Sequence, residues 1–384
     1  MPVTTPYPRT LPRFPLEDGR LGSGPAKIRR EQLDRFVADP DGVLGTSHRK
    51  EPVKRLVGRI QRGLLELFGA PAGYEIVLGN GGSTAFWDIA AASLIEQRAQ
   101  CLDFGVFGNR MARAAAAPWL ATPDVRTAPH GELVLAEHAP DIDTYAWAHN
   151  ETSTGVVAPV WRVGQADGAI TLIDGTSAAG GIGFDAANAD VYYFAPQKNL
   201  GSDGGLWVAL VSPAAAARAE RIAASGRFIP EFLNLHLAIE QSRKQQTLNT
   251  PAIATLMLLD SQLEWLLAQG GLGWAASHTR SLATKIYDWA DQCEHAFPFV
   301  ANPALRSPTN AVIEFDRRVD VKAMSAMLRS CGIVDIDGYS GVGQNQLRIG
   351  TYVSVTETDI DQLLRNFDVL VPHLLAGSEA TAAR

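Results

Sequence analysis

Cysteine is scarce in this chain, and its placement argues against a structural staple. Cys101, Cys293 and Cys331 are odd in number, far apart and free of any CxxC pairing. Neither a disulfide framework nor a zinc site is suggested, and no metal is expected. A reducing, cytoplasmic setting is the simplest fit. Long apolar runs are also missing. None approaches the ~18 residues that a membrane-spanning helix needs, so no membrane association is expected. Positive charge is not in excess: the formal net charge is −7. Nucleic acid and anionic membrane surfaces are therefore poor candidates for the main partner, although a local basic site stays open. The first residues, "MPVTTPYPRTLPRFPLEDGRLGSGP", lack the apolar stretch of a signal peptide and are studded with proline. They read as an extended arm on the surface or on a neighbouring subunit. The alanine-rich end, "AGSEATAAR", reads as frayed. No internal repeat is visible.

What is present is a globular composition. Apolar residues make up 46% and charged residues 20% of 384, enough for two domains with a large core. Short apolar runs alternate with helix-like segments. "YEIVL" (Tyr74–Leu78), "YAWAH" (Tyr145–His149), "ITLID" (Ile170–Asp174), "VYYF" (Val191–Phe194) and "LWVALV" (Leu206–Val211) have the near-continuous hydrophobicity of doubly buried strands. This pattern predicts an α/β fold, a mostly parallel sheet covered by helices on both faces. A helix is predicted from Pro251, capped by Thr250 and stopped by Gly270–Gly271. Beyond the double glycine come a helix from Trp274 to about Cys293, a strand "AVIEF", a helix "VKAMSAMLRSCG", a strand "NQLRIGTY" and a last helix over Asp359–Leu374. That is a small α+β layer. The expected division is an arm (1–24), a large domain (25–270) and a small C-terminal domain (271–384).

Several residues stand where chemistry is done, each with a plainer alternative. Lys198 follows a buried strand in "YYFAPQKNLGSDGGLW". Most loop lysines are solvated, but a buried amine is costly unless paired or neutral. Holding it as a Schiff base solves that problem. Asp174 ends another buried strand and can cap a helix, or keep a cofactor's ring nitrogen protonated. "GNGGSTAFWD" opens a helix after a strand and forms an anion site. It is not a dinucleotide fingerprint in full, because Thr84 stands where the third glycine belongs. Ser83 and Thr84 suit a single phosphate better. "AHNETSTG" places Asn150, Glu151 and Thr152 at a strand end, for a ring hydroxyl or for a polar turn. Phe107 can stack on a planar group or fill the core. His48 and Arg49, with Lys50, form a basic triplet that is either a solvated face or an oxyanion site. Arg348 interrupts an apolar strand, as a carboxylate clamp or within an internal ion pair.

Together "TSHRKEP", "GNGGSTAFWD", "HNETSTG", "IDGTSAAGG", "YYFAPQKNLGSDGGLW" and "NTPAIATL", in this order and spacing, resemble pyridoxal-phosphate enzymes of the aspartate-aminotransferase fold (fold type I, class V). More narrowly they resemble the phosphoserine aminotransferases of actinobacteria, over nearly the whole chain. The resemblance implies a three-layer transferase fold and pyridoxal 5′-phosphate as cofactor, bound covalently by Lys198. It implies that Asp174 pairs with the ring nitrogen and that Thr152 lies by the ring hydroxyl. Ser83, Thr84 and Gln197 would bind the cofactor phosphate, and Phe107 would stand in place of a stacking tryptophan. Asn249 and Thr250 would reach the cofactor of the other subunit in a homodimer. Arg348 would take the substrate α-carboxylate, with His48 and Arg49 facing the substrate phosphate across the dimer. The implied substrates are glutamate and a phosphorylated keto acid, 3-phosphohydroxypyruvate, in serine biosynthesis, with the related 4-phosphohydroxythreonine step of pyridoxine biosynthesis. One departure stands out: "YSGVGQNQLR" lacks the His-Arg pair that many members carry just before the arginine. Alternatives are an alanine–glyoxylate-type aminotransferase, a cysteine desulfurase using Cys331, or a Rossmann oxidoreductase.

Overall fold

A computed structural model describes residues 7–343 and 345–382. Among these, seven strands build a central sheet. They are β1 (Glu75–Gly81), β2 (Ala99–Asp103), β3 (Asp124–Thr127), β4 (Thr144–Ala148), β5 (Ile170–Asp174), β6 (Val191–Phe194) and β7 (Gly205–Val211). Their spatial order is β1-β7-β6-β5-β4-β2-β3, and only β7 runs against its neighbours. The mostly parallel sheet expected from the apolar runs is what forms. Strand periodicity then sends alternate residues to opposite faces. Leu206, Val208 and Leu210 of β7 enter one core cluster, while Trp207, Ala209 and Val211 enter the other. Both faces are covered, so an unbroken apolar run is the stable pattern. The cover comes from α1 (Glu51–Leu67), α2 (Ser83–Ser93), α3 (Val106–Ala115) and α4 (Ile253–Gln269), with α1 and α4 on the first face and α2 and α3 on the second.

A second layer follows. It comprises α5 (Gly271–Gln292), β8 (Ala296–Pro298), β9 (Asn310–Phe315), α6 (Val321–Arg329), β10 (Gln346–Gly350) and α7 (Glu357–Ala382). Strands β8, β9 and β10 form an antiparallel sheet in that order. Leu282, Ile286, Ile313, Leu347, Leu363 and Phe367 pack into its separate core.

Four local expectations are corrected. Helix α4 starts at Ile253, not at Pro251, and Thr250 does not cap it. A distant residue holds the approach to it: Asn80 Oδ1 accepts from Ala252 N at 3.1 Å, while Asn80 Nδ2 donates to the Thr250 carbonyl at 2.7 Å. Gly270, at φ 116°, ends α4, but α5 begins at the next residue. The passage between cores happens inside α5, whose Ala275 packs on the large core and whose Leu282 packs on the small one. The opening segment is more than a surface arm: residues 8–18 stay exposed or half-buried, but its two ends are anchored. Tyr7 and Leu21 are buried in the small core, and Gly19–Arg20 pairs with Ile333–Val334. The last helix continues past Leu374 to Ala382, and residues 383–384 lie outside the described part.

Candidate active site

Strands β1, β2, β4, β5 and β6 run the same way, so their carboxyl ends share one edge. The loops beyond those ends meet in a cleft of about 350 Å³, the usual ligand position in open α/β sheets. Residues from the second layer close it: Asp335, Tyr339 and Arg348. Ser23, Gly24 and Pro25 of the opening segment form the roof. Gly24 sits at φ 118°, and a Cβ there would stand 3.1 Å from Lys198 Cγ and Cε. The close approach and the left-handed backbone both require glycine.

Lys198 lies in the loop between β6 and β7 and is only 8% exposed. Its Nζ donates to Thr152 Oγ1 at 2.9 Å and lies 5.6 Å from the centroid of the Phe107 ring. Burial pulls its amine down to about 8. The Asp174 carboxylate opposes that fall, and Arg348 adds to it. Among the described residues Lys198 has no ion-pair partner. Its side chain is held by a hydroxyl and a ring instead.

Asp174 closes β5, and strand pairing sets it beside Ala148 of β4 and Tyr193 of β6. Four donors hold the carboxylate. Thr176 gives its N–H at 2.9 Å and its hydroxyl at 2.5 Å to Oδ1. Trp87 Nε1 and the Tyr193 hydroxyl each reach Oδ2 at 3.2 Å. Trp87 and Tyr193 were not anticipated. Both lie inside quoted motifs, and the helical step from Ser83 to Trp87 is a signal that was available.

The β4 loop divides its labour. Thr152 accepts from Lys198 and donates to Ser177 Oγ at 2.9 Å. Asn150 Nδ2 donates to the same Ser177 oxygen at 2.8 Å, and Asn150 Oδ1 is buried without a partner among the described residues. Glu151 turns away from the cleft. It is wholly buried and accepts from Phe107 N (3.1 Å), Gly108 N (3.0 Å), Ser153 N (3.0 Å) and Ser153 Oγ (2.6 Å). It thus caps α3 at the positive end of the helix dipole and holds Phe107 at the cleft wall. Burial raises its carboxyl above the usual range, and those same bonds oppose the rise. Gly105 must be glycine here, because a Cβ would fall 2.3 Å from Glu151 Cγ.

Ser83 and Thr84 open α2 at the cleft, and Gly82 supplies no side-chain cap. The amide donors of the first turn therefore face the cleft without an intrahelical partner. The Ser83 hydroxyl meets that of Thr176. Gln197 lines the same wall, and its Oε1 is buried without a partner among the described residues. Arg348, paired with Val312 across β9–β10, reaches in from the second layer. Its Nη1 donates to the Thr152 carbonyl at 3.2 Å and its Nε to that of Asp337 at 3.3 Å. The internal ion pair considered for it is absent among the described residues.

His48, Arg49, Asn249 and Thr250 are not in this cleft. They form a separate polar cluster. Thr250 Oγ1 meets His48 Nδ1 at 3.2 Å, Asn249 Oδ1 accepts from Asn80 at 3.3 Å, and Arg49 Nη1 donates to Gln246 at 2.8 Å. Burial and the Arg49 charge lower the His48 imidazole.

Comparison with known proteins gives this geometry a family. The class-V aminotransferase profile matches residues 31–363. The chain belongs to the class-V aminotransferases. A relative from Mycolicibacterium vanbaalenii is 50% identical, over 93% of this chain and 96% of its own. A phosphoserine aminotransferase from a Nocardioides strain is 49% identical, again over 93% and 96%. A solved phosphoserine aminotransferase from Cytophaga hutchinsonii superposes with a TM-score of 0.83 at 20% identity, covering 91% of this chain and 99% of that one. At that identity it speaks for the fold alone.

Pyridoxal 5′-phosphate is the cofactor of class-V aminotransferases, and the residues present fit it. An amine of lowered basicity suits its aldehyde, and a donor-saturated carboxylate suits its ring nitrogen. The open α2 terminus with the Ser83 and Thr84 hydroxyls suits its phosphate. The rivals fit less well. Cys331 is 1% exposed in the small core, against Asn366, and not on a loop at the cleft. The helix opened by "GNGGSTAFWD" belongs to a class-V aminotransferase fold and not to a nicotinamide-binding one.

Proposed function

We propose that this class-V aminotransferase is a phosphoserine aminotransferase, transferring the amino group of glutamate to 3-phosphohydroxypyruvate and forming O-phosphoserine and 2-oxoglutarate. One observation carries the reading. Two cations of one cleft, the buried Lys198 and the half-buried Arg348, make no ion pair among the described residues. Unpaired buried charge is costly, and a covalent partner for the first with a substrate carboxylate for the second relieves both. The substrate choice is supported by the relatives at about half identity over nearly the full chain.

The cofactor supplies an electron sink for the electrons left at the substrate Cα when its proton departs. Lys198 Nζ, when not covalently engaged, would be the base that takes and holds that proton. Asp174 keeps the ring nitrogen cationic, and Thr152 fixes the ring hydroxyl. Ser83, Thr84 and Gln197 hold the phosphate, and Phe107 forms the wall beside the ring. Arg348 orients the α-carboxylate of either substrate in a bidentate manner. The distal groups differ, a carboxylate on glutamate and a phosphate on the other substrate. His48 and Arg49 of the partner subunit in a cytoplasmic homodimer would meet either oxyanion, with Asn249 and Thr250 beside them reaching the other cofactor phosphate. The test is replacement of Lys198 by alanine. Turnover and the absorbance of the covalently bound cofactor should both vanish, and full activity in that variant refutes the assignment.

A further inference from the structure

Nothing anionic among the described residues holds Arg348 in place. Its two hydrogen bonds, at 3.2 and 3.3 Å, go to backbone carbonyls on different loops. Such bonds limit where the guanidinium lies but leave its plane free to tilt. The remaining contact is aromatic. The guanidinium carbon stands 5.0 Å from the centroid of the Tyr339 ring. That ring in turn meets Phe107 edge-on, with centroids 5.8 Å apart and planes at 71°. Phe107 is fixed from behind by the Glu151 carboxylate. A continuous series of contacts therefore runs from Glu151 through Phe107 and Tyr339 to Arg348, from the sheet to the second layer. Tyr339 lines the cleft, and among the described residues its hydroxyl has no hydrogen-bond partner.

We propose that Tyr339 is a positioning residue for substrate recognition, its ring face setting the plane in which Arg348 receives the α-carboxylate. A ring within about 6 Å attracts a guanidinium more strongly when both are desolvated, and burial already lowers the basicity of Arg348. The ring is the working part, not the hydroxyl. Its effect passes through Arg348, so removing the ring weakens binding of the carboxylate and leaves proton transfer at Lys198 alone.

The inference rests on the aminotransferase reading, and the experiment separates the two. Holoenzymes of wild type, Tyr339→Phe and Tyr339→Leu are compared in steady state with glutamate, and by titrating the cofactor absorbance with maleate, a dicarboxylate that cannot react. Tyr339→Leu should raise KM for glutamate and the apparent Kd for maleate by roughly 3- to 30-fold, the range of one cation–π contact, with kcat within about twofold. Tyr339→Phe should match wild type in both. Unchanged KM and Kd in Tyr339→Leu overturn the proposal. Equal damage in Tyr339→Phe also overturns it, since that assigns the role to the hydroxyl. A fall in kcat and thermal stability with KM unmoved would mean mere packing and overturns it as well. Absence of wild-type turnover sinks the aminotransferase reading, and this inference with it.

Discussion

Stripped of its cofactor and titrated, the protein should reveal Lys198 through its reactivity. An amine at 10.5 is neutral in about one molecule per thousand at pH 7.5, whereas one at about 8 is neutral in roughly one of four. Only the neutral amine attacks an aldehyde. The rate of recombination with pyridoxal phosphate, followed by absorbance, should therefore climb with pH and level off just above 8. Arg348 lowers this amine, so Arg348→Met should move the midpoint upward. Stability carries the same signature. The folded value lies below the unfolded one, so the penalty of burying a charged amine is present in full below pH 8. It is relieved as pH rises from about 8 to 10.5. A displacement from 10.5 to about 8 corresponds to on the order of 3 kcal/mol at neutral pH. Loss of the Thr152 hydrogen bond offsets about 1 kcal/mol of that. Cofactor-free Lys198→Met should thus resist urea by roughly 2 kcal/mol more than cofactor-free wild type at pH 7, and the gap should close by pH 10.5. A recombination rate still rising through pH 10, with no stability gap, refutes the desolvated-amine argument.

Glu151→Ala should cost about 2–4 kcal/mol, because it leaves the Phe107 and Gly108 amides buried and unpaired; urea unfolding measures it, and a loss under about 0.5 kcal/mol contradicts the capping role. Asp174→Asn should still take up cofactor at Lys198, yet lose turnover by roughly a hundredfold or more as the ring nitrogen loses its counter-charge. Mixing Lys198→Ala protein with a His48→Ala/Arg49→Ala double variant, after subunit exchange, should regain about a quarter of wild-type activity if sites are shared, since half the dimers then hold one intact site in two. Activity equal to the mean of the two parents speaks against shared sites.

Much of the site was legible because its parts are local. A parallel sheet brings strand ends to one edge, so "GNGG", "HNET", "IDGT" and "PQKN" each named a wall of the cleft before any packing was known. What escaped is of another kind. The two donors on Asp174 Oδ2, Trp87 and Tyr193, come from a helix and a neighbouring strand, and both read as ordinary apolar core. Tyr339 sits in a segment remarked on only for lacking basic residues. The segment leading into α4 is held by Asn80, some 170 residues earlier in the chain.

The chain's own order of residues thus determined the layered fold and the strand-end walls of the cleft, since strand and helix periodicities and strand-end loops are properties of short stretches. Only the packed molecule decided which groups go unpaired and which are held. Burial sets the basicity of Lys198, cross-strand register supplies the donors to Asp174, and the meeting of two layers puts an aromatic face beneath Arg348. Desolvation and long-range contact have no expression in a stretch of ten residues, and here they turn an assembled cleft into one poised for chemistry.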